Sequence, residues 1–156
     1  MFTHVIPGWV PSQLNVNGPL ERSHGGGGAF SQVLRDGGVS DYITRQAAQI
    51  HINPIVLAFG VAALLRASIG SATVAGMTAA GVLAPMVGES AVRPELMVLA
   101  TGAGSLMFSH FNDSGFWMFK EYFNATIRET LLTWSMMELI VGLVGLAVAL
   151  LMNLVW

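Results

Sequence analysis

The chain has 156 residues, 53% hydrophobic and only 10% charged, with a mean hydropathy of +0.61. Soluble domains carry about 25% charged residues, so too few charges remain to clothe a soluble surface, and the composition is that of an integral membrane protein. A net charge of −2 and a pI near 6.0 exclude a basic nucleic-acid footprint, and the lack of cysteine excludes disulfides, thiolate metal sites and cysteine nucleophiles.

Residues 1–24 hold Pro7, Gly8, Pro11, Gly18 and Pro19 with no helical or strand period, and read as an irregular tail. The tail has neither the basic start nor the apolar core of a signal peptide. Gly25-Gly26-Gly27-Gly28 follows, without the Gly-Lys-Ser/Thr ending that a phosphate loop needs. It reads as a flexible linker or as a tight hairpin tip that meets substrate through Gly27 and Gly28. The next segment, SQVLRDGGVSDYITRQAAQI, has helical character broken at Gly37-Gly38.

From Pro54 to Val87 the single charge is Arg66. One straight helix over this run would reach about 50 Å against a hydrocarbon core of about 30 Å. Two shorter helices with a break near 66–73, in RASIGSAT, fit better. Pro85, Gly88, Glu89, Arg93 and Pro94 mark the following loop. Residues 95–117 form a second apolar stretch, long enough to span. A polar link over 120–134 leads to SMMELIVGLVGLAVALLMNLVW, residues 135–156, a spanning helix whose single charge is Glu138. Trp134 and Trp156 bracket it as interfacial aromatics do. If 54–87 crosses once and 95–117 returns, Arg35, Arg45, Lys120 and Arg128 share one side against Arg93 on the other. This bias places the polar link in the cytoplasm and the C-terminus outside.

Ionisable groups inside apolar segments cost about 2.5–3.5 kcal/mol each on insertion scales, so each is a functional candidate. Arg66 serves an anionic substrate or an internal partner such as Asp113; the competing reading is a residue snorkelling to headgroups. Gly70-Ser71-Ala72-Thr73 suits an unwound point whose helix N-terminus faces an anion, although small residues also serve helix packing. Asn112-Asp113-Ser114-Gly115, within SHFNDSGFW, is a turn-forming run at membrane depth, where irregular backbone must be buried in protein or line a watery cavity. Asn112 and Ser114 are suited to a hydroxyl-rich ligand and Asp113 to carrying a proton; the competing reading is an ordinary turn at the interface. Glu138 reads as a carboxylate at the positive end of the last helix. His110 and Asp113 lack the further ligands that a metal pair needs, and no cofactor is implied.

Three motifs in this order, GGGGAFSQVLRDGGV, LLRASIGSATVAGMTAAGVLAP and SHFNDSGFWMFKEYFNATIRETLLTWSMMELIVGLVG, resemble the gluconate permease family of proton symporters over about residues 25–156. The resemblance implies an all-α integral membrane fold of the ion-transporter superfamily, with inverted repeats, re-entrant hairpins and broken helices. It implies a multi-pass carrier of the bacterial inner membrane, with gluconate or a related sugar acid and protons as its partners in the bilayer. By the same resemblance Gly25–Phe30 lie at a hairpin tip, Gly70–Thr73 at a helix break and Asn112–Gly115 at a second one. The substrate residues would then be Arg66, Gly70, Ser71, Thr73, Asn112, Asp113, Ser114, Gly27 and Gly28, with Asp113 coupling the proton.

Only the C-terminal third of such a carrier is covered, and inverted-repeat sites form between both halves. A truncated or split permease is therefore expected, completed by an N-terminal part on a separate chain or by a homo-oligomer. The alternatives are a non-transporting membrane assembly subunit or inactive fragment, and a soluble enzyme, against which the final helix argues.

Overall fold

A computed structural model describes residues 26–50, 52–87 and 92–155. The expectations for residues 1–24, Gly25 and Trp156 lie outside the described residues. Among the described residues all regular structure is helical.

Helices α1 (Gly26–Asp36) and α2 (Val39–Ile50) pack as a pair, and α1 lies along α4. Over Gly26 to Gly28 the glycine run is helix and not the flexible linker that its composition allows. Gly26 to Gly28 open α1, and the turn falls at Gly37-Gly38. The backbone explains the difference, because Gly38 adopts φ +74°, the left-handed geometry that glycine reaches without penalty. Its N–H donates to the Arg35 carbonyl at 2.9 Å. Helix-poor glycines are held in α1 by packing rather than by propensity: Ser31 seats so closely over Gly81 of α4 that a Cβ there would lie 1.9 Å from its Oγ.

Helix α3 (Pro54–Ile69) begins at an Asn53 side chain that accepts from the Ile55 N–H at 2.9 Å, with Pro54 at the first helical position. Helix α4 (Ala72–Val87) follows after two residues. Each has 16 residues, about 24 Å of helix, so neither spans the core alone. Helix α5 (Pro94–Ser105) has only 12 residues. The single span expected over 95–117 is thus two pieces, α5 and α6 (Ser114–Tyr122), separated by Leu106–Asp113. Phe108 sits at φ +37° within this break, a region that side chains rarely adopt.

Helix α7 (Ile127–Thr130), a π-helical turn (Leu131–Ser135) and α8 (Met136–Val155) form one continuous run of 29 residues, the single helix among those described that is long and apolar enough to cross a membrane. It starts at Ile127 rather than at Ser135 because of a reciprocal cap. The Thr126 hydroxyl accepts from the Glu129 N–H at 3.2 Å, and the Glu129 carboxylate accepts from the Thr126 N–H at 2.8 Å. Thr126→Ala should therefore lower stability by about 1 kcal/mol, read as an earlier unfolding midpoint in mixed detergent micelles.

Helices α3, α4 and α5 pack mutually and α8 closes on α5. Ile55, Ala58, Phe59, Leu83, Met97 and Ala100 are central to the core. Gly104 lets α5 approach α3, since a Cβ there would lie 2.3 Å from the Phe59 carbonyl oxygen. Such small-residue contacts are how helices associate where apolar burial gives no driving force. The opposite face of α8 exposes Ile140, Val144, Val148, Leu151 and Leu154, as a lipid-facing surface would.

Candidate substrate site where helix breaks meet

Two breaks come together at the end of α3. Gly70 terminates α3 at φ +80°, its N–H donating to the Arg66 carbonyl. A Cβ on Gly70 would lie 2.1 Å from the carbonyl oxygen of Asn112, so the second break rests directly on the first. Polar groups stitch them: His110 Nε2 donates to the Ala67 carbonyl at 2.9 Å, while its Nδ1 accepts from the Asn112 N–H at 3.2 Å. The Asn112 amide donates to the Ser68 carbonyl at 3.2 Å. These bonds satisfy α3 carbonyls that the helix end would otherwise leave unpaired.

Beneath this contact lies Arg66, 2% exposed, in the last turn of α3. Its Nη1 donates to the Gly70 carbonyl. Its Nη2 donates to Asp113 Oδ2 at 2.7 Å and to Glu138 Oε2 at 2.9 Å. Its Nε is buried with no acceptor among the described residues. Asp113 is fixed from several sides: Oδ1 accepts from the Gly115 N–H at 2.9 Å and caps α6, and Oδ2 also accepts from the Ser109 hydroxyl. Ser109 accepts in turn from Trp134 Nε1 at 3.2 Å. The cluster carries one positive and two negative charges when all its members are ionised.

Of the residues expected to bind substrate, Arg66, Gly70, Asn112 and Asp113 are brought into direct contact. Ser71 starts α4, its Oγ accepting from the Val74 N–H at 3.4 Å. Thr73, Asn112 and Ser114 are exposed around the junction. Gly27 and Gly28 are elsewhere, in the opening turn of α1, which packs on α4 and α2. His110 and Asp113 turn to the Ala67 carbonyl and to Arg66, so they form no ligand pair.

Three contributors escaped the sequence reading. Glu138 is no free helix start, because the helical run is continuous from Ile127; its carboxylate turns to Arg66 rather than to a helix dipole. Trp134 is not an interfacial bracket: half-buried, it serves Ser109 and stacks on Phe119 at 5.3 Å between ring centroids. Ser109 is fully buried between them. A signal for Glu138 was present, since two apolar segments each holding one charge of opposite sign tend to pair.

Residues 23–155 match the GntP family permease. The chain belongs to this family. Over 131 residues it is 54% identical to a high-affinity gluconate transporter of Escherichia coli (strain K12), covering 84% of this chain and 30% of that protein. A gluconate permease of Bacillus subtilis (strain 168) is 52% identical over 131 residues, covering 84% of this chain and 29% of the relative. The L-idonate transporter of the Gnt-II system of Escherichia coli (strain K12) is 52% identical over 130 residues, covering 83% and 30%. The chain thus spans about three tenths of the length of these curated relatives. No solved structure matches it. Family membership makes the chain a membrane protein of a permease family, not an enzyme.

Proposed function

We propose that this chain is part of a proton-coupled carrier that brings gluconate or a related sugar acid across the bacterial inner membrane. The carrying observation is the buried Arg66 at the contact of two broken helices, with a donor, Nε, that no described residue accepts. A sugar acid offers one carboxylate and several hydroxyls. Arg66 and the N-terminal amides of α4 suit the carboxylate, and Ser71, Thr73, Asn112 and Ser114 suit the hydroxyls. Proton coupling lies in the cluster of Arg66, Asp113 and Glu138, whose net charge changes when one carboxyl takes up a proton. Relatives more than three times as long, and the way inverted-repeat carriers build their site between two halves, support reading these residues as one part of a larger transport unit.

The test is gluconate-dependent proton uptake in vesicles, with this chain alone and with the N-terminal part of a related gluconate permease supplied. Uptake is expected in the second arm, with glucose inert. Asn112→Ala together with Ser114→Ala should weaken apparent gluconate affinity about tenfold, the equivalent of roughly one lost hydrogen bond. No proton movement in either arm would favour a non-transporting membrane subunit instead.

A further inference from the structure

We propose that Glu138 is the proton-carrying group of the buried cluster, protonated while Arg66 holds Asp113 as a carboxylate. This rests on the carrier reading for its consequence, and on geometry for the assignment. The two carboxyls share a single guanidinium nitrogen, Nη2, at 2.7 Å and 2.9 Å, in a site where Arg66, Asp113 and Glu138 side chains are only 2%, 10% and 12% exposed. Two buried carboxylates facing one cation leave an uncompensated negative charge, which such an interior resolves by protonating one of them.

Asp113 is poorly placed to be that one. Both of its oxygens already accept hydrogen bonds, Oδ1 from the Gly115 N–H at the start of α6 and Oδ2 from Arg66 and the Ser109 hydroxyl. Ser109 is itself oriented by Trp134, whose N–H occupies its oxygen and turns its hydroxyl proton towards Asp113. A proton on Asp113 would compete with the cap of α6 and with that oriented hydroxyl. Glu138 has no capping duty; it accepts from the Ser109 backbone N–H and, at the longer distance, from Arg66, its one side-chain donor.

The other elements around Glu138 bring no competing charge. From α3 it faces Arg66, and from the 106–113 break Asp113, with His110 turned to the Ala67 carbonyl. The π-helical turn, LLTWS, has no ionisable group. The single ionisable group of α5, Glu95, lies in its first turn, beside Met152 near the far end of α8. In α6, Lys120 pairs with the exposed Glu121 at 2.8 Å.

With Glu138 protonated the cluster is neutral and an anionic substrate can settle beside Arg66. When the proton leaves to water on the releasing side, the cluster becomes net negative and the sugar acid is repelled. One group thereby ties anion and proton together.

Infrared spectroscopy of the purified chain in lipid nanodiscs at neutral pH tests the assignment. Three samples are compared: unlabelled chain, chain with a heavy-isotope label in the glutamate side-chain carboxyl, and chain labelled likewise in aspartate. The expected spectrum shows the carbonyl stretch of a protonated carboxylic acid, shifted by the glutamate label and untouched by the aspartate label. The glutamate label covers all six glutamates of the chain, so the Glu138→Gln sample decides whether the band belongs to the buried one. Glu138→Gln should abolish it while keeping the helical circular dichroism, since glutamine mimics the protonated side chain. The assignment is overturned by a missing acid band, by a band that follows the aspartate label, or by one that survives Glu138→Gln. Loss of helicity in Glu138→Gln counts against it too. The labelled wild-type spectra need no variant and no substrate, so failure of gluconate transport leaves this result standing.

Discussion

Replacing Arg66 by leucine is expected to destabilise the chain by about 3–5 kcal/mol. The change deletes one buried cation and leaves Asp113 and Glu138 facing each other across the space it filled, both nearly inaccessible to water. It also unpairs the Gly70 carbonyl at the end of α3, which Nη1 now serves. An ion cluster is costly to break and cheap to replace as a whole. Arg66→Met combined with Asp113→Asn and Glu138→Gln should therefore recover most of the stability that Arg66→Leu loses. Denaturation of the purified chain in mixed micelles, followed by circular dichroism, measures both. If Arg66→Leu costs under about 1 kcal/mol, the cluster behaves as an exposed ion pair and the buried-site description is wrong.

The parts of this architecture legible from sequence are those that local chemistry dictates. The break at Gly70-Ser71 lies within a run too long for one span, and the structure ends α3 there with a left-handed glycine. Asp113 marks irregular backbone because its side chain can bond a nearby amide, and it does cap α6; the Asn112 side chain instead reaches the Ser68 carbonyl of α3. What sequence could not give depends on contacts between distant segments. Glu138 lies 72 residues from Arg66, and its position near an apparent helix start invited a dipole reading that the continuous helix from Ile127 removes. Gly26 to Gly28 have the composition of a linker, yet they open α1, which packs on α4 with Ser31 over Gly81. Residues 95–117 read as one span because 96–108 are largely apolar, and the polar run marked a break only at Asn112–Gly115. The interruption depends on Phe108 taking positive φ, which no local preference of phenylalanine announces.

Gly70→Ala should separate the two breaks. Two independent penalties fall on this position. At φ +80° an alanine takes the left-handed conformation at about 1–2 kcal/mol. Its Cβ would also sit 2.1 Å from the Asn112 carbonyl oxygen and 2.6 Å from the carbonyl carbon. Those are backbone atoms, so no rotamer change relieves the overlap and Leu106–Asp113 must move away from α3, adding about 1–3 kcal/mol by analogy with overpacked cores. The movement stretches the bonds from His110 to Ala67 and from Asn112 to Ser68, and it shifts Asp113 relative to Arg66. The expected loss is thus about 2–5 kcal/mol, accompanied by weaker gluconate binding in the reconstituted assembly. Gly60→Ala and Gly102→Ala are the controls: both positions are helical and a Cβ there meets nothing within 4 Å. With glycine about 0.8–1.0 kcal/mol below alanine in helix propensity, these should be neutral to mildly stabilising. If Gly70→Ala behaves like the controls in micelle denaturation, the two breaks are not in contact. Arg66 would then lose the close neighbours on which its role in binding an anion depends.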